Sequence, residues 1–268
     1  MNNRQIGSLL AVALGLATND AAAAPTTFTG IGGNNTSITA GTANAAMSAF
    51  LAAIGGANNG SGAGPFTNGF RTINWDGVAD ADATPNLLPA NHFNSTSPRG
   101  VMLLTPGTGV AVSASTASGL PLRFGDINAG YSSNFGVFSP QRLFAPIDSN
   151  LVQVYFYQPG TNLPATVRGF GAIFNDVKLT NTTSMRCFGI DGADLGTFFV
   201  PVGSSGQSEF LGLLFATTDP LIGHVVVTLG TNALGASTNE SASIDLVVMD
   251  DISYAEPLAD LIFADGFD

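Results

Sequence analysis

The feature that most constrains the fold is a succession of short apolar runs, rich in Val, Ile, Phe, Leu and Tyr, separated by turn sequences. The turns at 105–109, 158–162 and 191–194 combine Pro, Gly, Asn and Asp, the residues that tight turns favour. Because no long helical pattern separates the runs, alternating strand–helix units are disfavoured. The sequence therefore predicts an all-β, mainly antiparallel fold of the β-sandwich or jelly-roll type. The predicted strands are 71–76, 99–104, 110–113, 151–157, 166–174, 186–190, 197–201, 210–215, 224–229 and 244–254.

One short helix is predicted before this sheet region. Met47, Phe50 and Ile54 fall on one face at helical spacing, and the glycine pair at 55–56 ends the pattern. We expect 24–65 to be a lead-in that holds this helix and a flexible Gly/Asn turn. The sandwich domain is then expected over 66–257, followed by an acidic-aromatic tail at 258–268.

The first 23 residues are typical of a secretory signal peptide. Arg4 precedes an apolar run from Ile6 to Ala17, and Ala21 and Ala23 supply the small residues that a signal peptidase requires. The run is too short for a transmembrane segment. The sequence thus predicts a secreted, extracellular or periplasmic bacterial protein.

The charge balance excludes several classes of partner. The formal net charge is −11, with eight Lys and Arg residues against nineteen Asp and Glu. A chain this acidic offers no basic surface to phosphate backbones or anionic lipid, so we expect no nucleic-acid partner. Cys187 is the only cysteine, so no internal disulfide is expected, and its place in an apolar run predicts a buried side chain.

Carboxylates in two segments are candidate metal ligands. Asp250 shares the inward face of the last predicted strand with apolar residues, whereas Asp251 is expected to point the other way. A buried carboxylate needs a partner. One hypothesis is a calcium site formed by Asp250 with Asp76, Asp80 and Asp82, since calcium prefers several oxygen ligands. The alternatives are aspartates that close turns, and an ion pair of Asp250 with Arg71 or Arg99.

Three aromatic residues are candidate ligand-binding residues. Trp75 could stack on a sugar ring or belong to the core, and Tyr155 and Tyr157 share the polar face of the predicted strand 151–157. The sequence offers few candidate catalytic residues, because it has two histidines and no motif of a known hydrolase class. We therefore expect no enzyme, although an extracellular hydrolase with paired aspartates stays an alternative.

Several segments resemble a family of secreted bacterial proteins of unknown function, many of which carry a PEP-CTERM sorting signal. They are FLAAIGGANNG (50–60), RTINWDGV (71–78), SPRGV (97–101), FGAIFNDV (170–177) and VMDDISY (248–254). The sorting signal itself is absent, because neither an apolar helix nor arginines follow Glu256 and Pro257, the residues that resemble its Pro-Glu-Pro motif. The closing strand is also similar to galactose-binding-like and MAM-type jelly rolls, which bind glycans or proteins and often hold structural calcium.

These observations predict a non-catalytic structural or binding protein of the cell envelope or extracellular space. Its expected partner is an extracellular glycan or an envelope protein. A calcium-dependent, lectin-like glycan-binding module is the main alternative.

Overall fold

The computed structural model describes residues 24–216 and 222–259, which form mainly antiparallel β-sheets. Of the helices, α1 (Ala43–Ile54) has three turns, and α2 (His92–Ser95) and α3 (Tyr131–Asn134) have one turn each. The all-β prediction is thereby confirmed. The strands are β1 (Thr26–Ile31), β2 (Phe70–Ile73), β3 (Val101–Leu104), β4 (Gly109–Val112), β5 (Phe144–Ile147), β6 (Leu151–Phe156), β7 (Ala165–Thr166), β8 (Gly169–Asn175), β9 (Ser184–Phe188), β10 (Asp194–Phe199), β11 (Ser208–Leu214), β12 (His224–Thr228), β13 (Val248–Ala255) and β14 (Leu258–Ala259).

Two large sheets pack face to face. The seven-stranded sheet has the order β1-β11-β8-β13-β5-β4, and β2 pairs with β13 beside this path. The five-stranded sheet has the order β10-β9-β12-β6-β3, and β14 and β7 form a small third sheet. Phe156 of the five-stranded sheet contacts Phe170 and Tyr254 of the seven-stranded sheet, with ring centroids 6.0 and 5.6 Å apart. The core therefore lies between the sheets, as a sandwich requires.

The two sheets differ in how their second faces are covered. Every residue of β8, β11 and β13 is buried, and α1 packs on β1 and β11. In the five-stranded sheet, β6 and β12 alternate strictly between buried and half-buried residues. That alternation shows a sheet with one face in the core and one face towards solvent. We call the solvent side of the five-stranded sheet the outer face.

The predicted helix is confirmed, and its ends have local causes. The Thr42 hydroxyl accepts a hydrogen bond from the Ala45 N–H at 3.2 Å, which caps the first turn. Gly55 ends the helix at φ 77°, a conformation that favours glycine. Phe50 then packs against Phe28 and Phe210, with centroids 5.6 and 5.7 Å apart, and fixes the helix on the seven-stranded sheet.

The lead-in and the tail are more structured than the sequence predicted. Residues 26–31, expected to lack regular structure, form an edge strand that pairs with β11 over its full length. The chain from 258 onward begins with β14, whereas 260–268 and the signal-peptide region 1–23 lie outside the described residues. The strand β5 was also missed, and β13 begins at 248 rather than 244. In the described ranges no helix is long and apolar enough to cross a membrane.

Candidate functional site

A β-bulge in β13 brings two carboxylates together. Met249 pairs with Phe174 and Ile252 with Ala172, so two residues of β13, Asp250 and Asp251, stand opposite one residue of β8. Such a bulge breaks the alternation of side chains along the strand. The prediction that Asp251 points away from Asp250 was therefore wrong, and both side chains are buried.

The bulge aspartates share one hydroxyl group. Ser139 Oγ lies 3.0 Å from Asp250 Oδ1 and 2.7 Å from Asp251 Oδ1, and the Phe138 N–H donates to Asp250 Oδ2 at 2.7 Å. A hydroxyl has one proton, so it cannot donate to both carboxylates at once. Burial, and then the charge of Asp251, raise the pKa of Asp250 well above its usual range. Burial also raises the pKa of Asp251, so both carboxyl groups favour the protonated form more than ordinary aspartates do.

The predicted calcium ligands do not converge on one point. Asp76 Oδ1 accepts the N–H groups of residues 141 and 142, and Asp80 accepts hydrogen bonds from Ser115 and Arg142. Asp82 Oδ2 lies 3.4 Å from His92 Nδ1, and Asp82 is not among the hydrogen-bond partners of Asp250 or Ser139. No three His, Cys, Asp or Glu side chains of residues 24–216 and 222–259 are placed to hold a metal ion. This arrangement does not support a shared calcium site. Nor do Asp76 and Asp80 close turns through their own backbone, because their carboxylates bind residues 115, 141 and 142, far along the chain.

The alternative ion pairs of Asp250 are also absent, because both arginines have other partners. Arg71 forms a bidentate pair with Glu256, with both N–O distances 2.7 Å. Arg99 donates from Nε to the Thr72 carbonyl at 3.2 Å.

Trp75 belongs to the core rather than to an open sugar-stacking platform. Its side chain is 1% exposed and stacks on Phe144, with centroids 4.4 Å apart. Its indole N–H donates to the Asp250 carbonyl and so ties the loop after β2 to the bulge. The sequence could not decide between core and ligand contact, and the burial decides for the core.

Tyr155 and Tyr157 do lie together, at a pocket of about 270 Å³ on the outer face. Its walls are mostly apolar and include Pro164, Ile190 and His224. The Tyr155 hydroxyl donates to Gln153 Oε1 at 3.1 Å, which keeps a polar group beside this apolar surface. This pocket is the candidate functional site, since apolar walls with few polar groups are typical of ligand pockets.

A row of stacked rings extends the pocket across three strands. His224 stacks between Tyr155 of β6 and Phe188 of β9, at centroid distances of 4.9 and 4.6 Å. These distances match the spacing of neighbouring strands, so the three rings stack face to face in a row that crosses the strands. Arg186 lies over the far side of Phe188 at 4.9 Å. Burial lowers the pKa of His224, so this imidazole is neutral at pH 7.

The thiol of Cys187 is inaccessible. Cys187 is fully buried in β9, as predicted, and burial raises the pKa of its thiol to about 12. No local pattern could reveal the role of Ser139, because its contacts to the bulge span more than a hundred residues. The stack around His224 follows from strand register, which a single sequence does not reveal.

Comparison with known proteins adds no family to this description. No protein-family model, no curated protein and no solved structure matches the chain, so the resemblances noted in the sequence stay predictions.

Proposed function

We propose that this protein is an exported, non-catalytic binding protein, and that its ligand is held on the outer face at the pocket of Tyr155 and Tyr157. The observation that carries the proposal is the unequal covering of the two sheets. The central strands β8, β11 and β13 of the seven-stranded sheet are buried on both faces, whereas the five-stranded sheet keeps an aromatic row at its solvent side.

The ligand class that this pocket favours is a neutral glycan. Sugar rings present apolar C–H faces surrounded by hydroxyls, and aromatic side chains with polar tips complement both. Tyr155, Tyr157 and the neutral His224 provide such groups in one pocket. No carboxylate lines this pocket, and no three His, Cys, Asp or Glu side chains of the described residues are placed to hold a metal ion, so the proposal, unlike the lectin-like alternative, involves no calcium.

The burial of the aspartate pair argues against a hydrolase at the bulge. Asp250 is fully buried and Asp251 is 8% exposed, so a polymeric substrate cannot approach them directly in this conformation. Their hydrogen bonds to Ser139 and Phe138 instead indicate a structural role that joins β13 to the loop before β5.

The test is a glycan array with the mature protein, followed by titration calorimetry on the best neutral ligand, with calcium and with a chelator. Tyr157→Ala should weaken binding at least tenfold, because an aromatic side chain supplies much of the energy of such a contact. Phe199→Ala is the matched control, since Phe199 is a 48% exposed aromatic residue of the same sheet that does not line the pocket. A silent array, or equal losses in both variants, would refute the proposal.

A further inference from the structure

A second pocket, of about 210 Å³, lies beside the loop that follows β2. Trp75 and Phe93 form apolar walls, and Asn74, His92, Ser97 and Arg99 supply polar groups. It shares no lining residue with the pocket of Tyr155 and Tyr157. Its volume is below the roughly 300 to 1,000 Å³ typical of pockets for drug-sized molecules, so it suits a ligand of one ring or one side chain.

The pocket carries positive charge in an otherwise acidic protein. Arg99 is half-buried; its Nε donates to the Thr72 carbonyl and its Nη1 to Ser97. Its Nη2 has no acceptor, and the guanidinium no carboxylate partner, in the part of the chain that the structure describes. No Asp or Glu lines the pocket. A half-buried guanidinium with a free edge is suited to a carboxylate, which matches its planar geometry.

The second polar group of the pocket is a histidine that lies beside a carboxylate. His92 is 6% exposed, and its Nδ1 lies 3.4 Å from Asp82 Oδ2. Burial lowers the pKa of His92, so the ring is neutral near pH 7. Because Nδ1 faces a carboxylate, we assign the proton to Nδ1, which leaves Nε2 as an acceptor. Such an acceptor suits a ligand hydroxyl.

We propose that this pocket is a binding site for a small sugar acid, with the ligand carboxylate on Arg99 and a ligand hydroxyl on His92. The ring of a uronic acid carries both groups, and one such ring suits the volume of the pocket. This site is independent of the neutral-glycan pocket proposed above, and either can fail without the other.

The experiment compares matched ligands by titration calorimetry of the mature protein. Galacturonate and glucuronate are titrated beside galactose and glucose, which lack the carboxylate, and beside acetate, which lacks the hydroxyls. We expect the uronates to bind at least tenfold more tightly than either control, and more weakly at high salt. Polygalacturonate is titrated as well. If each of its chain ends binds more tightly than free galacturonate, the ligand is a polymer end rather than the free sugar acid.

Two variants test the site by different routes. Arg99→Gln removes the charge, with Arg168→Gln as the control of equal charge change, since Arg168 does not line this pocket. Gly77→Leu instead adds a bulky side chain at the pocket wall, because Gly77 lines the pocket and an added Cβ meets no atom within 4 Å. Both Arg99→Gln and Gly77→Leu should weaken uronate binding at least tenfold, and Arg168→Gln should leave it within twofold.

Several results would overturn the proposal. Absence of binding by either uronate at tens of millimolar would do so, as would equal affinity for uronates and neutral sugars. If acetate bound as tightly as the uronates, the ligand hydroxyls would not contribute, and the proposed contact with His92 would be refuted. If Arg99→Gln unfolds, Gly77→Leu alone decides, and unchanged uronate binding in that folded variant would refute the site. Loss of neutral-glycan binding in Tyr157→Ala, with uronate binding intact, would show that the two sites are separate.

Discussion

The buried pair of Arg71 and Glu256 offers the sharpest test of how the fold is held together. Arg71 is fully buried, and both of its bonds to Glu256 are 2.7 Å long. Its Nη1 also donates to the carbonyls of Gly60 and Pro98, at 2.9 and 3.0 Å. One guanidinium therefore joins β2, two loops and the end of β13.

We expect Arg71→Met to destabilise the protein by about 3–5 kcal/mol, because it leaves the Glu256 carboxylate buried without its partner. Domains of this size have total stabilities of roughly 5–15 kcal/mol, so the loss is a large fraction. With roughly 2–4 °C per kcal/mol, the unfolding midpoint should fall by about 6–20 °C.

The assay is urea unfolding followed by fluorescence of Trp75, the single tryptophan, whose 1% exposure makes it a reporter of the core. Arg186→Met is the control, because Arg186 and Asp194 form an ion pair at the surface, with both side chains about half exposed. That variant should unfold almost like the wild type. A loss below about 1 kcal/mol in Arg71→Met, or a loss no larger than in the control, would refute the reasoning.

Three further predictions concern other buried groups. Burial raises the pKa of Glu209 to about 9, so the native state favours the protonated side chain more than the unfolded state does. This side chain therefore makes its full contribution to the free energy of unfolding below about pH 4.5, and the contribution declines as the pH rises towards 9. Urea unfolding between pH 5 and 8 should therefore show falling stability, by up to about 1.4 kcal/mol per pH unit, and a flatter profile in Glu209→Gln; identical slopes would contradict this. Gly230→Ala should cost roughly 1–3 kcal/mol, because Gly230 has φ 58° and an added Cβ would lie 2.1 Å from the Asp245 carbonyl oxygen; a neutral effect on the unfolding midpoint would show that the turn relaxes. Phe50→Ala should cost about 3–5 kcal/mol in thermal unfolding, since its ring joins α1 to the seven-stranded sheet; a loss under 1 kcal/mol would mean that the helix is not needed for the fold.

The predictable part of the fold was the part that local pattern encodes. The alternation in 151–157 places one face in the core, and the structure confirms it in β6; the apolar run 224–229 is likewise confirmed as a strand, β12. The helix ending at Ile54 was equally local, because its apolar spacing and the following glycine lie within one short segment. Such signals need no knowledge of partners.

What the sequence missed depended on distant partners. The strand β1 has little apolar alternation, and its pairing with β11 makes it a strand. The bulge at Asp250 and Asp251 arises from the register against β8, which one sequence does not contain. The candidate site was predicted in part, since Tyr155 and Tyr157 follow from strand alternation, whereas the stacked partner His224 comes from a neighbouring strand.

The strand order has a consequence for the time course of folding. The central strands of the seven-stranded sheet, β8, β11 and β13, all come from the second half of the chain, whereas β1 and β2 come from its beginning. The first strands to be synthesised thus find their partners only when nearly all of the protein is available. Folds dominated by such distant pairings form slowly, in milliseconds to seconds. We expect the chain to stay without a core until β13 emerges, with its apolar strands open to aggregation or to a chaperone meanwhile.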